Sequence, residues 1–333
     1  MVNYLKTLWR PEAYHGAGKQ GNFFEGWFFK VVDEAKENVF AFIPGISLGD
    51  DPHAFIQILD GQTHQSNYIR FPLQDFKASS KKMEIQIRNN IFTGRYLQLN
   101  IKTDERWIKG KLEFNDLKPW HVRITSPGAM GWYAFIPFME CFHSVISFDH
   151  SIEGTLSINK TDIQFDGGRG YIEKDWGKSF PGAYVWIQSN HFERTGISLM
   201  ASVAKIPWLK GSFRGFIIGL LLDVKLHRFS TYTGAELNYL KLNDTHVKLE
   251  VTDRKYRLKI QAVRSNGGLL NAPYGMKMLR RVSETLSSQV KIDLYQIIKN
   301  ENEQIFSAQG FPAALDVNGK LEELIDSYEP KSK

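Results

Sequence analysis

The chain has 333 residues, of which 42% are hydrophobic, 23% charged and an unusually high 13% aromatic; this is the balance of a globular protein, and the length suits two domains of about 150 residues each. The net charge of +6 is scattered over short groups such as Lys81-Lys82 and Arg280-Arg281, with no run of five like charges. That excludes the concentrated basic stripe of a nucleic-acid binder and leaves a mildly basic surface suited to peripheral contact with anionic membranes. Cys141 is the single cysteine, which excludes an intrachain disulfide and a cysteine-based zinc cluster.

From the N-terminus, Met1–Arg10 lacks the apolar core of a secretory signal, and the best apolar run, Phe216–Leu222, falls far short of the ~20 residues that a membrane-spanning helix needs. A cytoplasmic protein is expected. The run Gly16-Ala17-Gly18-Lys19-Gln20-Gly21 lacks the glycine spacing of a phosphate loop and leads into an aromatic strand, Phe23-Phe24-Glu25-Gly26-Trp27-Phe28-Phe29-Lys30. Next come Phe55–Leu59, Met83–Ile87 and Tyr96–Ile101, which alternate with period two and read as antiparallel strands with one wet face. Asp60-Gly61, Asp166-Gly167-Gly168 and Asn266-Gly267-Gly268 supply hairpin turns. Helical patterning is confined to the tail, 321–328. The fold class is therefore mainly β with few helices.

The second half repeats the first. Trp27, the Ile43-Pro44 step and the strand Phe55–Asp60 recur as Trp186, Ile206-Pro207 and Phe216–Asp223, each about 160 residues later and in the same order. Two β domains follow, 1–165 and 166–333. An antiparallel barrel or curled sheet of this size either fills its interior with side chains or holds one small ligand.

Several segments, taken in order, resemble the tocopherol cyclase family: Tyr14-His15, Phe24–Lys30, Phe40-Ala41-Phe42, Tyr171-Ile172-Glu173-Lys174-Asp175-Trp176-Gly177, Phe180-Pro181 and Trp186-Ile187-Gln188-Ser189-Asn190-His191-Phe192. The resemblance implies two lipocalin-like β domains, shared with carotenoid hydratases, and an activity that closes the chromanol ring of a prenylated quinol. The stretch Gly131–His143 follows the family only in part. The implied partner is an apolar small molecule, an isoprenoid or a prenylated quinol.

Such ring closure needs a proton for an alkene, a base for a phenol and a dry aromatic pocket; no metal or redox cofactor is expected. His121, His143 and His150 match no zinc-ligand spacing, so no metal site is expected either. Glu25, on one strand face with Phe23, Trp27 and Phe29, is read either as a structural salt bridge, to Lys174 or an arginine of the other domain, or as a catalytic or ligand-contacting acid. Glu173 and Asp175 share a face opposite Lys174 and Trp176, and serve either to hold a junction or as the acid, with Asp175 preferred. On the next strand Tyr184, Trp186, Gln188 and Asn190 share a face that orients a quinol hydroxyl or pairs with backbone. His191 is the candidate base, although strict alternation turns it away from Gln188 and Asn190. The candidate set is thus Asp175, Glu173, Glu25 and His191 for acid/base work, with Trp27, Phe29, Trp176, Tyr184, Trp186, Gln188 and Asn190 contacting ligand. Two other readings stand beside it: a noncatalytic carrier that keeps the cavity, and a structural relative whose own aromatics fill it.

Overall fold

A computed structural model of the chain describes residues 7–209, 211–299 and 301–328; most of the segment in which no signal sequence is expected lies outside them. The chain divides into two compact units. One comprises the chain up to Phe180 together with Leu269–Arg281, and the other comprises Pro181–Gly268 and the chain from Val282.

The first unit is built on one sheet of twelve strands: β1 (Phe24–Val32), β2 (Val39–Ser47), β3 (His53–Asp60), β4 (Ser66–Phe71), β5 (Phe76–Ala78), β6 (Glu84–Ile87), β7 (Asn90–Thr93), β8 (Tyr96–Lys102), β9 (Trp107–Asn115), β10 (Cys141–Ile158), β11 (Thr161–Gln164) and β12 (Gly168–Gly177). The other sheet comprises β13 (Ala183–Ser189), β14 (Ile197–Trp208), β15 (Gly211–Leu222), β16 (Lys225–Ser230), β17 (Glu236–Leu242), β18 (His246–Thr252), β19 (Tyr256–Val263), β20 (Gly268–Tyr274), β21 (Lys277–Ile298), β22 (Glu301–Gly319) and β23 (Ser327–Tyr328). Strand order is β4-β3-β2-β1-β12-β10-β9-β8-β7-β6-β5 in one sheet and β16-β15-β14-β13-β22-β21-β19-β18-β17-β23 in the other. Pairing is antiparallel apart from the short β17–β23 contact, and neither path closes into a barrel. The mainly β fold of two lipocalin-like antiparallel sheets is therefore what the chain adopts, in its curled-sheet form.

The two orders repeat one wiring. Four strands joined by successive hairpins come first, and the first of the four then pairs with a strand from much later in the unit, β12 in one case and β22 in the other. Trp27 and Trp186 lie on the first strand of each set, the two Ile-Pro steps on the second, and Phe55–Asp60 and Phe216–Leu222 on the third. The midpoint at 165/166 falls between β11 and β12, and β12 pairs with β1 along its whole length, which is why the first unit runs on to Phe180.

Burial tracks the aromatic and β-branched positions. Trp27, Phe29, Phe42, Phe92 and Phe114 pack in one cluster of the first unit, while Val185, Ile187, Leu199 and Ile218 pack in the core of the second. β8 alternates buried and exposed residues as its sequence suggests, but β3 is buried on both faces. The reason is Gln57, the polar residue of its supposedly wet face: its amide donates to Asn271 O at 2.8 Å and accepts from Asn271 N at 2.8 Å, so the segment 269–281 covers that face. The tail also departs from expectation. Instead of a helix over 321–328 there is a 3-10 turn, Leu321–Glu323, followed by β23. Asp326 between them accepts a hydrogen bond from Leu240 N and pairs with Arg214, so tertiary partners outweigh the weak helical pattern.

Candidate functional site

β12 carries charged groups on both faces, and its neighbours complete each group separately. On the core face Glu25 stands across from Trp176, and Trp27 across from Lys174. Both Glu25 and Lys174 are fully buried, and the Lys174 ammonium meets Glu25 Oε1 at 2.5 Å. Lys174 also donates to the carbonyls of Pro11 and Ala13 and to His15 Nδ1 at 2.7 Å. Glu25 accepts the His15 backbone N–H on both oxygens, at 2.9 and 3.0 Å. The His15 ring stacks on Trp176 at 4.3 Å, and Lys174 Nζ lies 4.9 and 4.6 Å from the ring centres of Trp27 and Trp176.

The charge states follow from these contacts. Burial opposes ionisation of Glu25, but Lys174 and His15 overcome it and hold the carboxyl below its usual range. Burial draws Lys174 down to about 8 against the pull of Glu25. His15 is drawn down to about 4, by burial first and Lys174 second; its neutral ring accepts from Lys174 through Nδ1, so the 3.4 Å approach of that nitrogen to Glu25 is not a hydrogen bond. Glu25 is thus ion-paired with Lys174. A carboxylate engaged in this way is a poor proton donor.

On the opposite face the pairing of β10 with β12 sets His143 beside Asp175. His143 Nδ1 lies 3.0 Å from Asp175 Oδ1, and Nε2 lies 3.7 Å from Glu173 Oε2. Glu173 in turn accepts a hydrogen bond of 2.6 Å from the Tyr171 hydroxyl. Burial lowers the His143 pKa, but Asp175 and then Glu173 outweigh it and lift the imidazole to about 9. It is therefore an imidazolium at neutral pH, with Nδ1–H given to Asp175 and Nε2 lacking a partner within hydrogen-bond reach. The three side chains present ligand atoms within 4.8 Å of one another, a spacing compatible with a cation. Here the two carboxylates address opposite ring nitrogens, so the imidazolium itself supplies the positive charge between them. Burial and the nearby Asp175 raise the Cys141 thiol far above its usual range, which leaves it inert.

The structure thus brings Glu173 and Asp175 together with His143, and Glu25 together with Trp27 and Trp176, on two faces of one strand. Phe29 packs against Phe92 and Phe114 at 5.5 and 6.2 Å in the core. In the other unit Tyr184, Trp186 and Gln188 lie on β13, facing away from the core residues Val185 and Ile187. The Tyr184 hydroxyl donates to Asp316 at 2.7 Å, and Gln188 Nε2 reaches Asn190 Oδ1 at 3.5 Å. His191 is buried, but it lies past the end of β13, so strand alternation does not set its direction. Its backbone is fixed instead, donating to Ser189 Oγ at 3.2 Å and accepting from Phe311 N at 2.8 Å. His15, His143 and Tyr171 lie outside the candidate set that the sequence offers. His143 and Asp175 are far apart in sequence, and only the register of β10 on β12 joins them.

The tocopherol cyclase-like family is matched over residues 61–319. A rice (Oryza sativa subsp. japonica) protein described as a probable chloroplastic tocopherol cyclase is 22% identical, covering 94% of this chain and 79% of its own length. The chloroplastic tocopherol cyclase of maize (Zea mays) is 25% identical over 60% of this chain, and the matched part is 43% of the maize protein. Among solved structures, CghA with Sch210972 superposes with a TM-score of 0.54 at 11% identity, covering 92% of this chain and 89% of that one; this likeness concerns the fold alone. No helix among the described residues is long and apolar enough to cross a membrane.

Proposed function

The chain belongs to the tocopherol cyclase-like family, and from that premise we propose that it binds an isoprenoid or prenylated quinol and closes a ring on it by acid/base chemistry centred on His143. One observation carries this reading: in the group of His143, Asp175 and Glu173, the imidazolium keeps an unspent N–H at Nε2 while Asp175 holds Nδ1. Glu25, the other candidate acid, has no such capacity because Lys174 and His15 engage it.

In this mechanism His143 Nε2 gives its proton to the alkene carbon as the phenol oxygen attacks the neighbouring tertiary carbon. A C–H and a C–O bond form, the alkene π bond is consumed, and the phenol O–H proton returns to Nε2. Substrate and product have the same mass, and His143 ends as it began. An imidazolium near pKa 9 is a weak acid for an alkene, so the attack of oxygen must be concerted with proton transfer and no free cation accumulates. Asp175 is a positioning residue: it fixes the ring and its protonation.

The test is incubation of the purified protein with a prenylated quinol, read by liquid chromatography and mass spectrometry. An isomass product with shifted retention, abolished in His143→Gln while the quinol still binds within a few fold, is the expected result. Retention of unaltered quinol by wild type would instead make the protein a carrier, and full activity in His143→Gln would remove His143 from the chemistry.

A further inference from the structure

We propose that the surface formed by segments 7–11 and 117–139 is a docking site for an anionic lipid bilayer. The inference rests on the apolar ligand of the preceding section for its purpose, but its evidence is separate. Trp9, Ile124, Trp132 and Phe135 are exposed to the extent of 41%, 83%, 44% and 38%, an expensive display of large apolar side chains on one part of a protein. They are held in place. Trp9 Nε1 donates to Ile124 O at 3.0 Å, the Trp9 and Phe135 rings meet edge to face at 6.0 Å, and Trp132 stacks on Tyr133 at 4.2 Å.

The local backbone explains the display. Residues 128–135 form 3-10 turns broken at Gly131, whose φ of 58° and ψ of −139° interrupt the helical path. Gly128, with φ of 73°, sits where an added Cβ would lie 3.3 Å from Ser144 Oγ and 3.4 Å from Pro11. Small and apolar residues, Ala129, Met130 and Ala134, turn inward and are buried, so the large aromatics Trp132 and Phe135 are left facing out. This irregular segment is two-faced in the manner of an interfacial element.

Charge selects the occupant. The two segments contain Arg10, Lys118 and Arg123, all exposed, against three acids at their borders, Glu12, Asp116 and Glu140, of which only Asp116 is exposed. Indole rings favour the boundary between headgroups and acyl chains, and each cation near an anionic surface contributes about 1 kcal/mol. A second copy of the chain is a poorer fit, because a two-fold contact would set these cations against the same cations. Within this surface Pro11 gives its carbonyl to Lys174 on the closed face of β12, and β10, which carries His143, begins just beyond residue 139. An isoprenoid resides in bilayers, so docking here would bring the protein to its ligand.

Vesicle flotation tests the proposal, using phosphatidylcholine vesicles with and without phosphatidylglycerol and no quinol. The protein is expected to float with the anionic vesicles, to float less as salt rises, and to remain largely unbound with phosphatidylcholine alone. Ile124→Asp with Trp132→Ser should weaken vesicle binding about tenfold with an unchanged melting temperature, and Arg10→Gln with Arg123→Gln should flatten the salt dependence. His143→Gln should float as wild type does, which separates this proposal from the chemistry: turnover can fail while flotation stands. Absence of flotation with either vesicle overturns the proposal, as does equal flotation of the Ile124/Trp132 variant. A concentration-dependent dimer that the same variant abolishes would also overturn it, in favour of self-association.

Discussion

The two faces of β12 hold similar chemical groups in opposite conditions. On the core face Glu25, Lys174 and His15 are closed: the three N–H groups of Lys174 are shared among two carbonyls, a carboxylate and an imidazole, and both Glu25 oxygens receive N–H donors. On the other face the His143 side chain retains some exposure, while its Nε2 is buried 3.7 Å from Glu173 Oε2 with its hydrogen bond unmade. Charged groups that are completely satisfied and dry fix structure, because any change of protonation or partner inside them is costly. A group with one open donor can exchange a proton without dismantling its surroundings. In the proposed function the Glu25 face serves structure and the His143 face serves chemistry, whereas the sequence only ranks Asp175 ahead of Glu25 and Glu173 as the candidate acid.

The largest effect should come from breaking the closed face. Glu25→Gln removes the countercharge of a fully buried ammonium and should cost about 3 to 5 kcal/mol of stability, measured by urea unfolding. Replacing both partners, Glu25→Leu with Lys174→Met, should recover only part of that loss. The paired apolar side chains relieve the charge burial, but the carbonyls of Pro11 and Ala13 then lose their donor. A loss below about 1 kcal/mol for Glu25→Gln would erase the distinction between the faces.

Much of this arrangement is legible in the sequence and some of it is not. Period two alone puts Glu25 beside Trp27 and separates Lys174 from Asp175, but leaves the partner of Glu25 open between Lys174 and an arginine. The recurrence of Trp27, Ile43-Pro44 and Phe55–Asp60 as Trp186, Ile206-Pro207 and Phe216–Asp223 exposes the repeated wiring, because those landmarks occupy equivalent strands. Contacts made by strand register are invisible in the same text. His143 meets Asp175 only because β10 pairs with β12, and β10 shifts register between Val145 and His150, so counting residues does not predict the neighbour. Gln57 looks like a wet position until segment 269–281 arrives from the far end of the chain, and the alternation that seems to aim His191 stops at Ser189.

The next effect isolates the open face by pH. The folded pKa of His143, about 9, lies above the ordinary 6.5, so its contribution to stability is fully present below pH 6.5 and is lost as pH rises through 9. At neutral pH and below it is on the order of 3 kcal/mol. His143→Gln should therefore be less stable than wild type at pH 6, and the gap should shrink toward pH 9. Lys174, drawn down to about 8, acts in the opposite sense above that pH, since its neutral form is favoured in the folded state. Taking the difference between wild type and variant cancels it. A gap that stays constant from pH 6 to pH 9 would mean that His143 is not held as an imidazolium.

The smallest effect decides what holds the imidazolium. Among the groups that raise His143, Asp175 acts ahead of Glu173 and also provides the hydrogen bond at 3.0 Å. Asp175→Asn keeps the side-chain shape and removes the charge, so the His143 pKa, followed by NMR titration of the ring, should fall by at least about one unit, equivalent to about 1.4 kcal/mol. It should not fall to 6.5, because Glu173 remains 3.7 Å from Nε2. The Asn amide can still meet Nδ1 by offering its oxygen to a proton or its nitrogen to a lone pair, so ring orientation survives while protonation at neutral pH becomes partial. Turnover of a prenylated quinol should then become dependent on pH near neutrality and increase toward acid, where the ring regains its proton. If instead the pKa stays near 9 and the pH profile does not move, Glu173 alone holds the charge and Asp175 serves only to anchor the ring.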